Sequence, residues 1–418
     1  VRILFLTENF PPETNAAAAR VFERACYWVK WGHQVDIVTC VPNFPQGRVF
    51  AGYRNRWRQE EHMAGMRVIR VKTYIAANEG VIRRTLDFLS FMATGFLAGL
   101  STPKPDVVVA TSPQFFSAVA GWMVGAARHR PFIFELGDLW PASIVAVGAM
   151  RNGRIVRALE GLELFLYRRS AAVVALTSSF KKDLVRRGID GGKISVVLNG
   201  VDVPRYRPLP RDTALEAEWG LKGKFVVGYL GTLGMAHGLA NVLDAAEILR
   251  GRADMAFLLV GAGAERSLLV AEVERRKLTN VVFAPPQPKD AMPRVWSVCD
   301  IALVHLKDSP VFAEVIPSKM FEAMAMGLPL LVAAPRGEAT TIAEHDTAGL
   351  CVPAGDPQAL ADAALRLRED PDLRQRLASG ALAAAPLHSR ETQARQMLEV
   401  MEPLSQEGVA ALRARGHR

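Results

Sequence analysis

Short apolar runs separated by amphipathic stretches set the rhythm of the first half of the chain. Runs rich in Val, Ile, Leu and Phe occur at 3–6, 35–39, 68–71, 107–110, 132–135, 173–176 and 194–198. Their length and branched composition are those of β-strands. Helical patterns lie between most of them, at 17–30, 115–128 and 159–169. Near-continuous apolar strands alternating with helices predict a parallel sheet covered on both faces. A polar segment punctuated by Pro204, Pro208 and Pro210 follows, and a short helical stretch at 213–219 leads to Gly220. The alternation then restarts, with strands at 225–229, 256–260, 281–283, 301–304 and 330–333. The pattern predicts two Rossmann-like α/β domains, 1–203 and 204–388, with a helical tail at 389–418 completing the first. Ligand is expected in the cleft between them, at the carboxyl ends of the strands.

Composition narrows the class. The chain has 418 residues, half of them hydrophobic and 22% charged, which excludes a disordered chain and allows large cores. Cys26, Cys40, Cys299 and Cys351 are far apart, so neither a zinc site nor a disulfide framework is indicated, and a reducing cytoplasm fits. The first apolar run is too short for a signal peptide. The net charge is +9. Arg48, Arg54, Arg56, Arg58, Arg67, Arg70, Lys72, Arg83 and Arg84 face only Glu60, Glu61 and Glu79 in the same segment. No nucleic-acid module accompanies them, so nucleic acid is not an expected partner. Phosphorylated substrates or an anionic membrane surface remain. The apolar stretch 86–100 is too short to span a bilayer. It reads either as a buried helix or as part of a basic, apolar surface that docks on anionic lipid.

The densest candidate chemistry lies at 313–329. Pro317 and Ser318 look like a helix entrance, with Ser318 as cap, and Gly327 and Pro329 close the helix after two or three turns. Its N-terminus, beside Lys319 and between Glu314 and Glu322, suits a sugar nucleotide: amides and Lys319 for the diphosphate, carboxylates for hydroxyls. The plain alternative is a solvated Lys319 and a Glu322 that only favours the positive helix end. Glycine-bearing loops at 228–234 and 261–266 follow predicted strands, and the second departs from a dinucleotide fingerprint at Arg266. Either alone reads as a tight turn. With 314–322 they place three polar loops along one sheet edge. In the first half, 9–16 and 134–141 follow strands. Asp138 is a candidate cap for the segment after Pro141 or a contact to sugar hydroxyls, and 199–202 reads as a turn or a ligand contact. Hydrolase-elbow, Walker and zinc-protease motifs are missing. The single Asp-x-Asp, at Asp370 and Asp372, reads as solvated rather than metal-binding. His33, His129 and His305 read as surface or core residues, whereas His237 lies just beyond a glycine loop.

Glu314, seven residues and Glu322, followed by Ala-Met-Ala-Met-Gly-Leu-Pro, resembles the hallmark of the family-4 retaining glycosyltransferases. The segments 9–13, 31–35, 199–202 and 349–353 look like further landmarks of that family. Those at 40–47, 138–141 and 317–322 resemble a bacterial subgroup that builds O-antigen, capsule and exopolysaccharide and includes fucosamine-type transferases. The resemblance implies a GT-B fold of two facing Rossmann-like domains, retention of anomeric configuration, a UDP-sugar donor, and neither metal nor cofactor. The implied sugar is an N-acetylated amino or deoxyamino sugar, and the implied acceptor is a polyprenyl-diphosphate-linked saccharide. Such an enzyme would sit peripherally on the inner face of a bacterial plasma membrane.

The resemblance also implies roles by position. Glu322 would bind ribose and Glu314 the donor sugar. Lys319 and the backbone at Ile316, Pro317 and Ser318 would neutralise the diphosphate, with Gly231, Thr232 and His237 opposite and Gly263 and Arg266 alongside. Phe283 and Pro286 would flank the base. Asn9, Glu13, Asn15, Gly137, Asp138 and Asn199 would frame acceptor and donor sugar. Two departures stand out. Thr232 and His237 occupy places where many members carry Arg and Lys, and Gly137 stands where many have His or Arg. The same two-domain architecture also serves UDP-sugar 2-epimerases and could serve a non-catalytic nucleotide-sugar binder.

Overall fold

Apolar runs become the strands of two separate sheets in a computed structural model that describes residues 1–418 except 14, 45–46, 76–80, 113–114, 140, 142–152 and 416–418. The first sheet contains β1 (Arg2–Leu6), β2 (Gln34–Cys40), β3 (Arg58–Met63), β4 (Met66–Val71), β5 (Val107–Thr111), β6 (Phe132–Leu136), β7 (Ala172–Ala175) and β8 (Ile194–Val196). Its order is β3-β4-β2-β1-β5-β6-β7-β8, parallel except for β3. That strand has no apolar run. It is a half-exposed Arg-Gln-Glu-Glu-His-Met edge paired antiparallel to β4, and charge on an edge strand discourages further pairing. The second sheet contains β9 (Phe225–Leu230), β10 (Met255–Val260), β11 (Val281–Ala284), β12 (Ile301–His305), β13 (Leu330–Ala333) and β14 (Gly349–Val352), ordered β11-β10-β9-β12-β13-β14 and wholly parallel.

Each sheet is buried on both faces. In the second, Trp296, Phe321 and Met324 pack on one side, and Leu239, Leu243 and Leu360 on the other. Strand order reverses direction at β1 in the first sheet and at β9 in the second. Such switch points open a crevice at the carboxyl ends of the strands. The loops after β1, β9 and β12 therefore start where a ligand can reach backbone.

Contacts divide the chain into Val1–Leu198 with Arg390–Arg418, and Asn199–Ser389. The helix Arg390–Arg415 lies on the helix Ala16–Lys30 of the first unit. There Trp28 Nε1 donates to the Ala394 carbonyl at 2.9 Å, and Arg390 pairs with Glu23 at 2.8 Å, all in buried surroundings. Trp140, the segment after Pro141 for which Asp138 is a candidate cap, residues 45–46 and the terminal 416–418 lie outside the described residues.

Candidate functional site

The helix Lys319–Ala325 is anchored by Met320, Phe321, Ala323 and Met324, all fully buried, which leaves Glu322 as its one half-exposed side chain. Gly327, at φ 72°, ends it as expected of a left-handed C-terminal glycine. The expected Ser318 cap is corrected. Ser318 already has helical angles, φ −58° and ψ −28°, and its side chain makes no capping bond. A capping hydroxyl needs an extended backbone to fold back on the first turn. The turn is instead opened by the Pro317 carbonyl, which accepts from Met320 N at 3.1 Å. Ile316 packs against the core beneath.

Lys319 is not a solvated side chain. It is 9% exposed, and its Nζ has no hydrogen-bond partner among the described residues. The ammonium lies 3.5 Å from the centroid of the Tyr229 ring, which gives it a cation–π neighbour but no anion. Burial pushes its pKa down to about 7, against the opposing pull of Glu322. Gly231 stands directly beside it: a Cβ there would lie 3.0 Å from Lys319 Nζ, and φ is 138°. Glycine at 231 thus spares the ammonium a close side-chain contact, although Nζ itself has almost no exposed surface. Glu322 Oε2 accepts from Trp296 Nε1 at 3.4 Å, and Glu314 ends the half-buried turn Pro310–Glu314.

The loops after β9 and β10 are laced backbone to backbone. Leu233 N donates to Ala262 O at 2.9 Å, and Glu265 N donates to Leu233 O at 3.0 Å. A Cβ on Gly261 would sit 1.9 Å from the Gly231 carbonyl oxygen, and one on Gly263 would sit 2.2 Å from that of Leu233. Arg266 then reaches over the Phe283 ring at 5.9 Å, joining the β11 end, with Pro286 exposed beyond it. Gly231, Thr232, Gly263, Arg266 and Phe283 are so gathered at the carboxyl ends of β9, β10 and β11, with Gly231 against Lys319.

His237 belongs to this cluster as a neutral ring. Carbonyls can only accept, so His237 Nδ1–H donates to His305 O at 3.4 Å and His305 Nδ1–H donates to His237 O at 2.6 Å. The Asn241 amide donates to His305 Nε2 at 2.9 Å. Burial pushes both imidazoles down to about 4, with Lys319 adding to the effect. His237 therefore supplies no positive charge near neutrality. Tyr229, whose hydroxyl donates to Thr232 O at 2.7 Å, and His305 were not marked as site residues by the sequence pattern, because both lie within strands that read as core.

In the first unit several expected ligand residues have structural employment. Asn15 Oδ1 caps the helix Ala16–Lys30 through Ala18 N at 2.9 Å, while its amide donates to Asn9 Oδ1 at 3.0 Å. Glu13 Oε1 accepts from Asn43 N and Phe44 N at 2.8 and 2.9 Å. Gly137 N donates to Ser112 Oγ at 2.8 Å, and Asp138 N to the same oxygen at 3.3 Å. A Cβ at 137 would meet the Ser112 carbonyl oxygen at 2.5 Å and Arg20 Nη2 at 3.0 Å. A larger residue at 137 is thus blocked first by the Ser112 carbonyl and then by Arg20. Arg20 and Arg24 both pair with the fully buried Glu135, at 3.1 and 2.5 Å. Burial raises that carboxyl, but Arg24 and Arg20 hold it below its ordinary value. Asn199 is buried at the start of the second unit, beside the Val201–Ser389 bridge. Asp370 caps the helix Pro371–Ala384 through Leu373 N at 2.8 Å. A cavity of about 510 Å³ beyond β13 and β14, with Arg336, Glu344 and Cys351 in its wall, holds none of the expected residues.

Two family models match the chain: a glycosyl transferase 4-like domain over residues 15–200 and glycosyl transferases group 1 over residues 212–383. A D-inositol 3-phosphate glycosyltransferase of Xylanimonas cellulosilytica is 30% identical, covering 68% of this chain and 69% of its own. The Escherichia coli K12 protein named as a colanic acid biosynthesis glycosyl transferase, WcaI, is 24% identical over 78% of this chain and 82% of its own. The structure of Anabaena HepE in complex with UDP and glucose matches with a TM-score of 0.71 at 20% identity, over 96% of this chain and 99% of that one.

Proposed function

Because the chain belongs to the group 1 glycosyltransferases and has their GT-B fold, we propose that it transfers a sugar, with retention and without a metal, from a UDP-sugar to a polyprenyl-diphosphate-linked saccharide. The sugar is an N-acetylated amino or deoxyamino sugar, and the product a bacterial surface polysaccharide such as O-antigen or capsule. The work is done at the inner face of the plasma membrane. The observation that carries the reading is Lys319, a buried ammonium with no hydrogen-bond acceptor among the described residues, held at a switch-point edge against a glycine that leaves room beside it.

An anion is what that ammonium lacks. As the bond from the anomeric carbon to the diphosphate oxygen breaks, negative charge grows on the leaving group. A preorganised cation and backbone amides stabilise that charge more than they stabilise the ground state. Lys319 takes this role, with the backbone around Pro317 and Ser318 and the approach past Gly231 and Thr232. Glu322, oriented by Trp296, takes the ribose hydroxyls, and Glu314 those of the donor sugar. Phe283, with Arg266 over its ring, and Pro286 form the base side. In the first unit Asp138, Asn9 and the Arg20–Glu135 pair border the acceptor loops. Support for UDP comes from HepE, whose complex holds UDP and glucose, and support for polysaccharide synthesis from the name of WcaI.

Incubation with lipid-linked acceptor and a panel of UDP-sugars is the direct test. UDP released in step with glycosylated lipid is the expected outcome. Donor consumption indifferent to acceptor, or an epimerised nucleotide sugar formed without it, overturns the reading.

A further inference from the structure

The helix Val81–Leu100 carries more apolar surface than its own domain covers. Phe91 and Ala98 are buried on the inner side, and Gly99 fits so closely that a Cβ would lie 2.7 Å from Val124 Cγ2. The outer positions Leu86, Leu89 and Leu97, together with Ala93, recur at three- and four-residue steps, and the three leucines are 48%, 36% and 62% exposed. From residue 88 to 100 the helix has no charged side chain. An outer helix face in water is ordinarily polar.

The apolar strip continues beyond the helix. Tyr74 N donates to Ser90 Oγ at 2.7 Å, and Arg58 donates to Ser101 Oγ, so the ends of β4 and β3 are tied to the helix. Trp57, 73% exposed beneath Lys72, and Tyr74, 48% exposed, extend the strip at those points. Trp57, Tyr74, Leu86, Leu89 and Leu97 are five of the eight large hydrophobic side chains exposed in the first unit among the described residues. Such clustering is not the scatter normal on a soluble surface. Arg54, Arg56, Lys72 and Arg83 are exposed around it and enter no ion pair among the described residues, and Arg84 lies over the Phe88 ring at 5.4 Å.

We propose that this surface seats the protein on an anionic lipid bilayer, with the helix lying in the interface. The inference names the membrane-facing side and rests on the lipid-linked-acceptor reading for its purpose. An apolar centre with amphipathic aromatic residues and unpaired cations matches acyl chains beneath phosphate headgroups. A second copy docked through the same patch would set like charges against each other. No helix among the described residues is long and apolar enough to cross a membrane, so the helix rests on the surface.

The full chain is sedimented with vesicles of phosphatidylglycerol and phosphatidylcholine or of phosphatidylcholine alone, without nucleotide or acceptor. Binding at least about tenfold tighter to the anionic vesicles is expected, and a comparable loss in Leu89→Glu/Leu97→Glu and in Arg56→Glu/Arg83→Glu. Melting temperature and transfer to a detergent-soluble acceptor should stay at wild-type values in both variants. Brominated lipid should quench wild-type tryptophan fluorescence more than that of Trp57→Phe, a readout independent of the charged variants. Equal binding to both vesicles, or variants that bind like wild type, overturns the proposal. So does a dimer that dissociates in Leu89→Glu/Leu97→Glu while vesicle binding persists, which would assign the surface to a second copy. Transfer without vesicle binding leaves the transferase reading intact, and vesicle binding without transfer does the reverse.

Discussion

A buried lysine without a counterion is a cost to the empty protein that its ligand removes. In the role proposed for it, Lys319 would bind a diphosphate as the ammonium, and the anion would raise its pKa from about 7 in the free protein. Binding above that value therefore takes up a proton. Affinity for a UDP-sugar, whose diphosphate has no proton to lose in this range, should be flat below about pH 7 and fall by up to about tenfold per unit above it. Calorimetry in buffers of different ionisation heat would show the uptake, and Lys319→Met should abolish it. Loss of the charge in Lys319→Ala should lower kcat/KM by about 10²–10³-fold. His237→Ala, which removes a neutral ring, should cost less than about tenfold, so equal losses in a transfer assay would contradict the assignment. Lys319 and Gly231 were legible from residue type and position. The ring beneath the lysine and the imidazole that fixes His237 were not, since Tyr229 and His305 acquire their roles only from what the folded strands bring beside them.

At the scale of elements, the two glycine loops act as one. Because a Cβ on Gly261 would overlap the Gly231 carbonyl, Gly261→Ala must part the loops. It should destabilise by about 1–3 kcal/mol and abolish the thermal shift produced by a UDP-sugar, whereas Gly251→Ala, with open space around its Cβ, should leave that shift unchanged. Differential scanning fluorimetry reads both. The apolar strands and their parallel pairing were legible because a sheet covered on both faces must be written in continuous apolar runs. The edge strand β3 was not: half-exposed and charged, it owes its existence to the register Arg58↔Val71 with its neighbour. The Ser318 cap failed for a local reason, since helical geometry had already begun one residue early.

At the scale of the molecule, the first unit is held together by bonds between distant parts of the chain. Trp28 to Ala394 spans 366 residues, and Arg390 to Glu23 spans 367. Arg390→Ala should destabilise the first unit by about 3 kcal/mol, as expected when a buried pair loses one partner, with the second unit's transition unmoved in a denaturant titration. Sequence pattern marks that last stretch as a helix, but its partner is set by which face of Ala16–Lys30 the sheet leaves uncovered. The order of synthesis gives this connectivity a temporal meaning. The segment Asn199–Ser389 leaves the ribosome after most of the first unit and before the helix that finishes it. At about 5–20 residues per second, that interval lasts roughly 10–40 s. Throughout it the second unit can fold while the Trp28 face of the first stays bare, so the nascent chain ripens from the second unit outward and offers chaperones an apolar target until the helix Arg390–Arg415 arrives.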